Sequence, residues 1–325
     1  METTPAMPPA DALAVGRLWG RLRDAVAIAV VDADRATRLL AVALLADGHA
    51  LVEDVPGVGK TVLAKAFSRS LGLGFARVQG TPDLLPGDVT GSSVLQGGAF
   101  HFVPGPIFTN VLLVDEINRA TPRTQSGLLE AMQERQVSVD GVTRPLPDPF
   151  LVLATENPIE LEGTFALPEA QVDRFLVRVD LGYPSEDGER AVARRYRASH
   201  EPLDAVPVVA DADTVRAARE ATRTILVSDD VEAYVVAVCR ATRRHPDLRL
   251  GASPRATVAL YRASQAWAAL DGRAFVLPDD VAAVAPAVLS HRLLLDLDRE
   301  LAGATGAHVL EEVLGTVRVP LPPRS

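Results

Sequence analysis

The segment Val55-Pro56-Gly57-Val58-Gly59-Lys60-Thr61 has the residue types a phosphate cradle needs. Gly57 and Gly59 let the backbone bend so that consecutive N–H groups face one anion. The start of the following helix adds partial positive charge. Lys60 supplies a compact, rotatable ammonium for β- and γ-phosphates, and the Thr61 hydroxyl suits a Mg²⁺ ion. The full pattern Gly-x-x-x-x-Gly-Lys-Ser/Thr asks for glycine at position 54, where this chain has Asp54. Aspartate tolerates left-handed backbone better than most residues, so the loop is expected to form with Asp54 in that role. An ordinary strand–turn–helix with a surface lysine shares part of this pattern.

A second group lies 55 residues further on. Val111-Leu112-Leu113-Val114 is a continuous apolar run that ends in Asp115-Glu116. In open α/β sheets, ligands bind beyond the carboxyl ends of the strands. Asp115 is placed to hold the metal near Thr61, and Glu116 to orient and deprotonate an attacking water. Strands also end in solvated acids, so it is the pairing with the phosphate loop that makes the signal. Asn157 follows the apolar run 150–155 and precedes Pro158. It reads either as a water-orienting amide or as a turn residue. Arg174 lies in Gln171-Val172-Asp173-Arg174-Phe175, and Arg255, in the first turn after Ser253-Pro254, is a cation against the helix dipole that a bound phosphate would offset, a grammar that Thr121-Pro122-Arg123 shares. Read singly, both also fit solvated helix positions.

These side chains need a scaffold, and the first half of the chain alternates strand and helix patterns. Helical spacing covers 11–31 and 34–46. Strands are expected at 50–53, 75–78, 111–114 and 150–155. Helices are expected from Lys60 to Ser70 and after Thr121-Pro122. This alternation argues for a doubly wound α/β layer. Two hairpins interrupt it, 94–102 with a Gly97-Gly98 turn and 137–143 with Asp140-Gly141. Gly182–Ser185 reads as a linker, and beyond it helices are expected at 186–200, 211–223, 229–244, 254–270 and 279–290. The expected division is a disordered leader and helix start over 1–20, an α/β domain over 21–182, a linker over 183–185 and a helical domain over 186–325.

The 325 residues suit two domains at roughly 150 residues each, and 48% hydrophobic residues supply a core. A net charge of −9 argues against general nucleic-acid or membrane-surface binding. Lys60 and Lys65 are the only lysines, so 33 basic residues less these two leaves 31 arginines. Lys65 has no evident role in this reading. The lone Cys239 permits no intrachain disulfide and no multi-cysteine zinc site, and the six histidines are scattered. The N-terminus lacks a signal-peptide pattern, and no apolar run approaches the roughly 20 residues of a membrane span. A soluble, reduced, cytoplasmic protein without membrane insertion is expected.

Taken together, the chain resembles the MoxR family of AAA+ ATPases. The matching stretches are EDVPGVGKT (53–61), TPDLLPGDVTG (81–91), GPIFTNVLLVDEINRATPRTQSGLLEAMQERQVSVDG (105–141), ATENPIELEGTFALPEAQVDRF (154–175) and GASPRA (251–256), within roughly 25–295. The resemblance implies a P-loop NTPase core with a parallel sheet, flanking helices and hairpin insertions, followed by a small all-α lid. It implies ATP and Mg²⁺, with nucleotide contacts from Pro56, Gly57, Val58, Gly59, Lys60, Thr61 and Val62, and metal contacts from Thr61 and Asp115. Glu116 matches Walker B, Asn157 sensor 1, Arg174 the arginine finger and Arg255 sensor 2. The two hairpins match the helix-2 insert and the pre-sensor-1 hairpin, which face a ring pore or a substrate. The resemblance further implies a six-subunit ring, a von Willebrand factor A domain partner and chaperone-like remodelling of client proteins.

Departures from the family are Val30-Val31-Asp32-Ala33 where an adenine-binding turn is usual, and Glu156 where glutamine is frequent. A metal-chelatase motor subunit, a nucleic-acid motor and a non-hydrolysing scaffold are the competing readings. The charge opposes the second, and Glu116, Asn157 and Arg174 together oppose the third.

Overall fold

The structure, a computed structural model, describes residues 10–55, 57–156, 164–195 and 201–320. The expected leader, Pro56 and Asn157 therefore lie in part or wholly outside the described residues. Two helices, α1 (Ala10–Ala29) and α2 (Asp34–Leu45), precede β1 (Ala50–Glu53) and α3 (Lys60–Ser70). Next come β2 (Phe75–Gln79), the short α4 (Pro86–Thr90), the hairpin β3 (Gly91–Gln96) and β4 (Ala99–Pro104), and β5 (Val111–Asp115). Then follow α5 (Pro122–Glu134), the hairpin β6 (Gln136–Val139) and β7 (Val142–Pro145), β8 (Leu151–Glu156), the single turn α6 (Glu169–Val172) and β9 (Val177–Val179).

The five long-range strands form one parallel sheet in the order β2-β5-β8-β1-β9. Period-2 geometry sends alternate residues to opposite faces. Val52, Leu113, Leu153 and Val177 join the apolar layer of α1, α2 and α3. Leu51, Leu112, Val114 and Val152 join a second layer with Leu128, Leu129 and Met132 of α5. Both faces are covered, which is why the strands read as unbroken apolar runs. The fifth strand, β9, is not evident in the sequence: three residues, with a half-exposed arginine in the middle, carry no such run.

The hairpins form where the turn chemistry places them. Gly97 and Gly98 both take positive φ, as do Asp140 and Gly141. Leu95 and Phe100 at the first hairpin are 66% and 75% exposed, so this insertion carries apolar surface into solvent. The guanidinium of Arg144 on β7 lies 3.8 Å from the ring centre of Phe102 on β4, tying the two hairpins together.

Beyond the sheet come α7 (Glu186–Arg195), α8 (Ala212–Arg223), α9 (Asp229–Thr242), β10 (Leu248–Leu250), α10 (Pro254–Leu270), α11 (Pro278–Leu289), β11 (Leu294–Leu295), α12 (Leu297–Leu301) and α13 (Gly306–Thr316). Asp211, Ser228, Ser253 and Thr305 cap their helices through side-chain oxygens. The lid is helical apart from the small antiparallel pair β10–β11. Of the lid helix expected at 186–200, residues 196–200 lie outside the described residues. The apolar layer on α1 and α2 runs on without a break into Val215, Ala218, Ala263 and Leu270 of the lid. Among the described residues, no helix is long and apolar enough to cross a membrane.

Candidate functional site

Between β1 and α3 the chain makes the loop that Gly57 and Gly59 allow. Their φ values are +86° and +95°, which side-chain-bearing residues rarely adopt. Gly59 is the N-cap of α3, and no side chain caps that terminus. The N–H groups there are left to an anion. Lys60 Nζ donates to the Asp54 carbonyl at 2.9 Å, which holds the ammonium over the loop.

Asp54 does something other than expected. Its backbone is not left-handed. Instead its buried carboxylate is an acceptor hub: Oδ1 accepts from Val55 N at 2.8 Å, and Oδ2 from Leu181 N at 2.7 Å and Gly182 N at 2.9 Å. The carboxylate thus joins the phosphate loop to the segment that follows β9. At the other end of that segment, Asp32 Oδ2 accepts from the N–H and hydroxyl of Ser185, at 2.9 and 2.7 Å. Those hydrogen bonds hold the exposed Asp32 carboxyl below its ordinary range.

A cavity of about 640 Å³ opens beside the loop. Gly57, Val58, Gly59, Thr61 and Val62 form one wall, and Val30, Val31, Tyr183, Pro184 and Leu203 form an apolar opposite wall. The Val30-Val31 turn therefore faces the cavity beside the phosphate loop. Lys65 borders the same cavity, one helical turn on from Thr61. Both lysines of the chain thus belong to this region. A larger groove of about 1110 Å³ runs between α1 and α8, but it contains none of the phosphate-loop residues.

Asp115 and Glu116 leave the carboxyl end of β5, three strands of the sheet away from its β9 edge. Thr155 organises both: its hydroxyl donates to Asp115 Oδ1 at 2.8 Å and accepts from Glu116 N at 2.8 Å. Arg77 grips Asp115 Oδ2 through Nη2 at 2.7 Å and Nε at 3.0 Å. Glu116 has left-handed backbone, φ 54°. Its Oε2 accepts from Gln79 Nε2 at 3.0 Å and Arg119 Nη1 at 3.1 Å. Gly80 makes this corner possible: a Cβ there would lie 2.2 Å from the Glu116 carbonyl oxygen. Sequence reasoning missed Arg77, Gln79 and Thr155, because their meaning depends on which strands become neighbours.

The donor chemistry suits Mg²⁺. Thr61 and Asp115 offer a hydroxyl and a carboxylate, both hard oxygens. No group of three or more His, Cys, Asp or Glu converges on one point among the described residues. An ion here would complete its shell with phosphate oxygens and water, as Mg²⁺ does at nucleotide sites.

The two arginines stand elsewhere. Leu176 N donates to the His49 carbonyl at 2.8 Å, so the turn carrying Arg174 enters β9 beside the start of β1. His49 and Asp54 bracket β1 and are about 16 Å apart at roughly 3.3 Å per residue. Arg174 and Gln171 line a polar cavity of about 290 Å³ with Glu130 and Glu134 of α5. Arg174 Nε and Gln171 Oε1 are buried there without a partner. Arg255 is exposed at the start of α10, whose capping Ser253 hydroxyl is 3.5 Å from Asp173 Oδ2. The structure therefore gathers Lys60, Thr61, Asp115 and Glu116 at one end of the sheet, and sets Arg174 and Arg255 near each other at the other.

Two titratable groups stand out, the partly buried Glu156 and the buried His49. Burial, then the neighbouring Glu53, pushes the Glu156 carboxyl up to about 7, with Arg178 pulling the other way. Glu53 and Glu156 are register partners at the ends of β1 and β8, and Arg178 Nη1 lies 3.2 Å from Glu53 Oε2. His49 is pushed down to about 3 by burial and by Arg135. Its Nδ1 accepts from Val152 N at 3.0 Å, so Nε2 carries the proton and donates to the Met132 carbonyl.

A parallel sheet with a glycine loop at its first strand, acids at a central strand and a helical lid defines a P-loop nucleotide hydrolase. Comparison with known proteins makes the class specific. The family described as ATPases associated with various cellular activities matches residues 49–177, and an AAA lid domain matches 240–313. An uncharacterized protein of Bacillus subtilis, YeaC, is 47% identical over 86% of this chain and 88% of its own. Chaperone MoxR1 of Mycobacterium tuberculosis is 42% identical over 90% of this chain and 79% of its own. The crystal structure of a proposed ATPase from Cytophaga hutchinsonii superposes with a TM-score of 0.90 at 35% identity, covering 96% of this chain and 97% of that one. The chain belongs to the MoxR family of AAA+ ATPases.

Proposed function

We propose that this ATPase works as a ring in which each active site is built from two subunits. The observation that carries this reading is the separation within one chain of the phosphate-binding group from Arg174 and Arg255. One subunit offers Gly57–Val62, Asp115 and Glu116, and its neighbour offers Arg174 and Arg255. A head-to-tail contact of this kind closes into a ring, here of six subunits as in the family. Pro56 and Asn157 belong to the same proposed site by their place in the sequence.

Phosphoryl transfer asks for positioning and charge stabilisation. The loop N–H groups and Lys60 bind the β- and γ-phosphates. Glu116, held by Gln79 and Arg119, orients the attacking water and takes its proton. Arg174 from the neighbour meets the charge that develops on the γ-phosphoryl group. Thr61 and Asp115 would hold Mg²⁺, which would supply further neutralisation of the phosphate charge.

Hydrolysis then moves the lid about the 183–185 linker and shifts the exposed Leu95–Phe100 hairpin, which grips client proteins. We assign a chaperone-like remodelling role in the cytoplasm, with a von Willebrand factor A domain partner and no nucleic acid. The chaperone naming of MoxR1 supports this role. The test is direct: Lys60→Ala abolishes ATP binding, and Glu116→Gln binds ATP but turns over no faster than background. A Glu116→Gln assembly held in the ATP state then captures the partner. Tight binding by Lys60→Ala, or full turnover by Glu116→Gln, refutes the assignment.

A further inference from the structure

Arg292 lies in the short turn Ser290–Arg292 that follows α11. Its side chain is 4% exposed. Burying a guanidinium is costly unless its donors are met, and here they converge on one segment. Nε donates to Asp173 Oδ1 at 2.7 Å, and Nη2 to the carbonyls of Phe175 at 2.6 Å and Asp173 at 3.2 Å. Nη1 donates to the Leu176 carbonyl at 3.1 Å and also contacts the Val288 carbonyl.

The neighbouring His291 adds a bond to the same segment. Its Nε2 donates to the Phe175 carbonyl at 3.1 Å, while Nδ1 is buried without a partner. Burial, with Arg292 beside it, holds this imidazole neutral, well below its usual range.

Asp173, Phe175 and Leu176 are thereby fixed, with Arg174 between them. Arg174 itself is not touched: its backbone is held on both sides, while its own Nε finds no partner. A buried ion pair is weak evidence of a stabilising role. A planar fork that reaches the carbonyls on both sides of one residue sets where that residue points.

We propose that Arg292 is a positioning residue for Arg174: the lid turn holds the backbone around Arg174 so that its guanidinium is presented to the adjoining subunit. This rests on the reading that Arg174 acts across a subunit interface. The device also gives the lid a handle on a neighbour's reaction, since Arg292 moves with α11.

The experiment uses the full-length assembly and Arg292→Lys, which keeps the charge but loses the fork. A misplacement of about 1 Å can cost about 10²-fold in rate, so kcat is expected to fall about that far. KM for ATP and ATP binding should stay within about twofold, because the phosphate-binding group of the same subunit is untouched. Mixed assemblies separate positioning from instability. Arg292→Lys with Glu116→Gln should regain activity, because the lysine variant has an intact phosphate half and its partner an intact finger. Arg292→Lys with Arg174→Ala should not, because both lesions fall in one half.

Should Arg292→Lys fold poorly, Asp173→Asn removes the carboxylate charge opposite Nε more gently. A smaller kcat loss and the same mixing pattern are then expected. The control is Arg174→Ala with Glu116→Gln. If the control regains activity but the Arg292 and Asp173 variants keep full kcat, lose ATP binding or fail to complement Glu116→Gln, the positioning role is wrong and the shared site stands. If the control stays inactive, the shared site itself is wrong, and the positioning role falls with it.

Discussion

Asp54 Oδ2 accepts the backbone N–H of Leu181 at 2.7 Å, linking the phosphate loop to the chain that leads into α7. A glycine at this position would leave that N–H, and the N–H of Gly182, without their acceptor. The departure from the common phosphate-loop pattern is therefore a connection between loop and lid linker. Asp54→Gly should destabilise the fold by about 1–3 kcal/mol, the usual cost of stranding buried polar groups. It should also weaken ATP binding. Asp54→Asn keeps one acceptor oxygen and should fall between glycine and wild type. Urea unfolding and nucleotide titration read both effects; a glycine variant as stable and as tight as wild type contradicts the role.

Thr155 ties the two acids of β5 together through one hydroxyl. Thr155→Val keeps the shape and removes both hydrogen bonds. We expect a loss of about 1–3 kcal/mol in stability, with kcat falling at least tenfold while ATP still binds. Thr155→Ser should restore most of the activity, since it returns the hydroxyl. Equal losses in the Val and Ser variants would show that packing matters instead.

Glu156 makes the fold sensitive to pH. Its carboxyl is raised to about 7, chiefly by burial and then by Glu53. A raised acid favours the protonated native state. Its stability contribution is full below the ordinary glutamate range near 4.5 and is lost as pH rises through about 7. Glu156→Gln, neutral at every pH, should therefore gain Tm over wild type at pH 8 and little at pH 5. Thermal unfolding across that range checks it; a constant difference contradicts the cause.

The chemistry was more legible in the sequence than the wiring. Gly57, Gly59, Lys60 and Thr61 are adjacent, so their meaning survives without a fold. The run Val111–Val114 followed by two acids is equally local. Arg77, Gln79 and Thr155 meet Asp115 and Glu116 only because β2, β5 and β8 become neighbours, and no local pattern encodes that order. Strand β9 escaped notice for a related reason: it is three residues long and takes its identity from pairing with β1. Lys65 looked idle because its position on the cavity wall depends on the helix packing around it. The arrangement of Arg174 and Arg255 away from their own phosphate loop likewise follows from topology.

That arrangement is the centre of the account, and one measurement bears on it most directly. Glu116→Gln and Arg174→Ala subunits, each inactive alone, are mixed and ATP turnover is followed against their ratio. An arginine finger is worth about 10³–10⁵ in rate, so restored turnover stands far above either background. Activity that peaks near equal proportions is the predicted result, because some interfaces then join an intact Glu116 to an intact Arg174. Turnover that stays at background at every ratio would contradict a site shared between subunits.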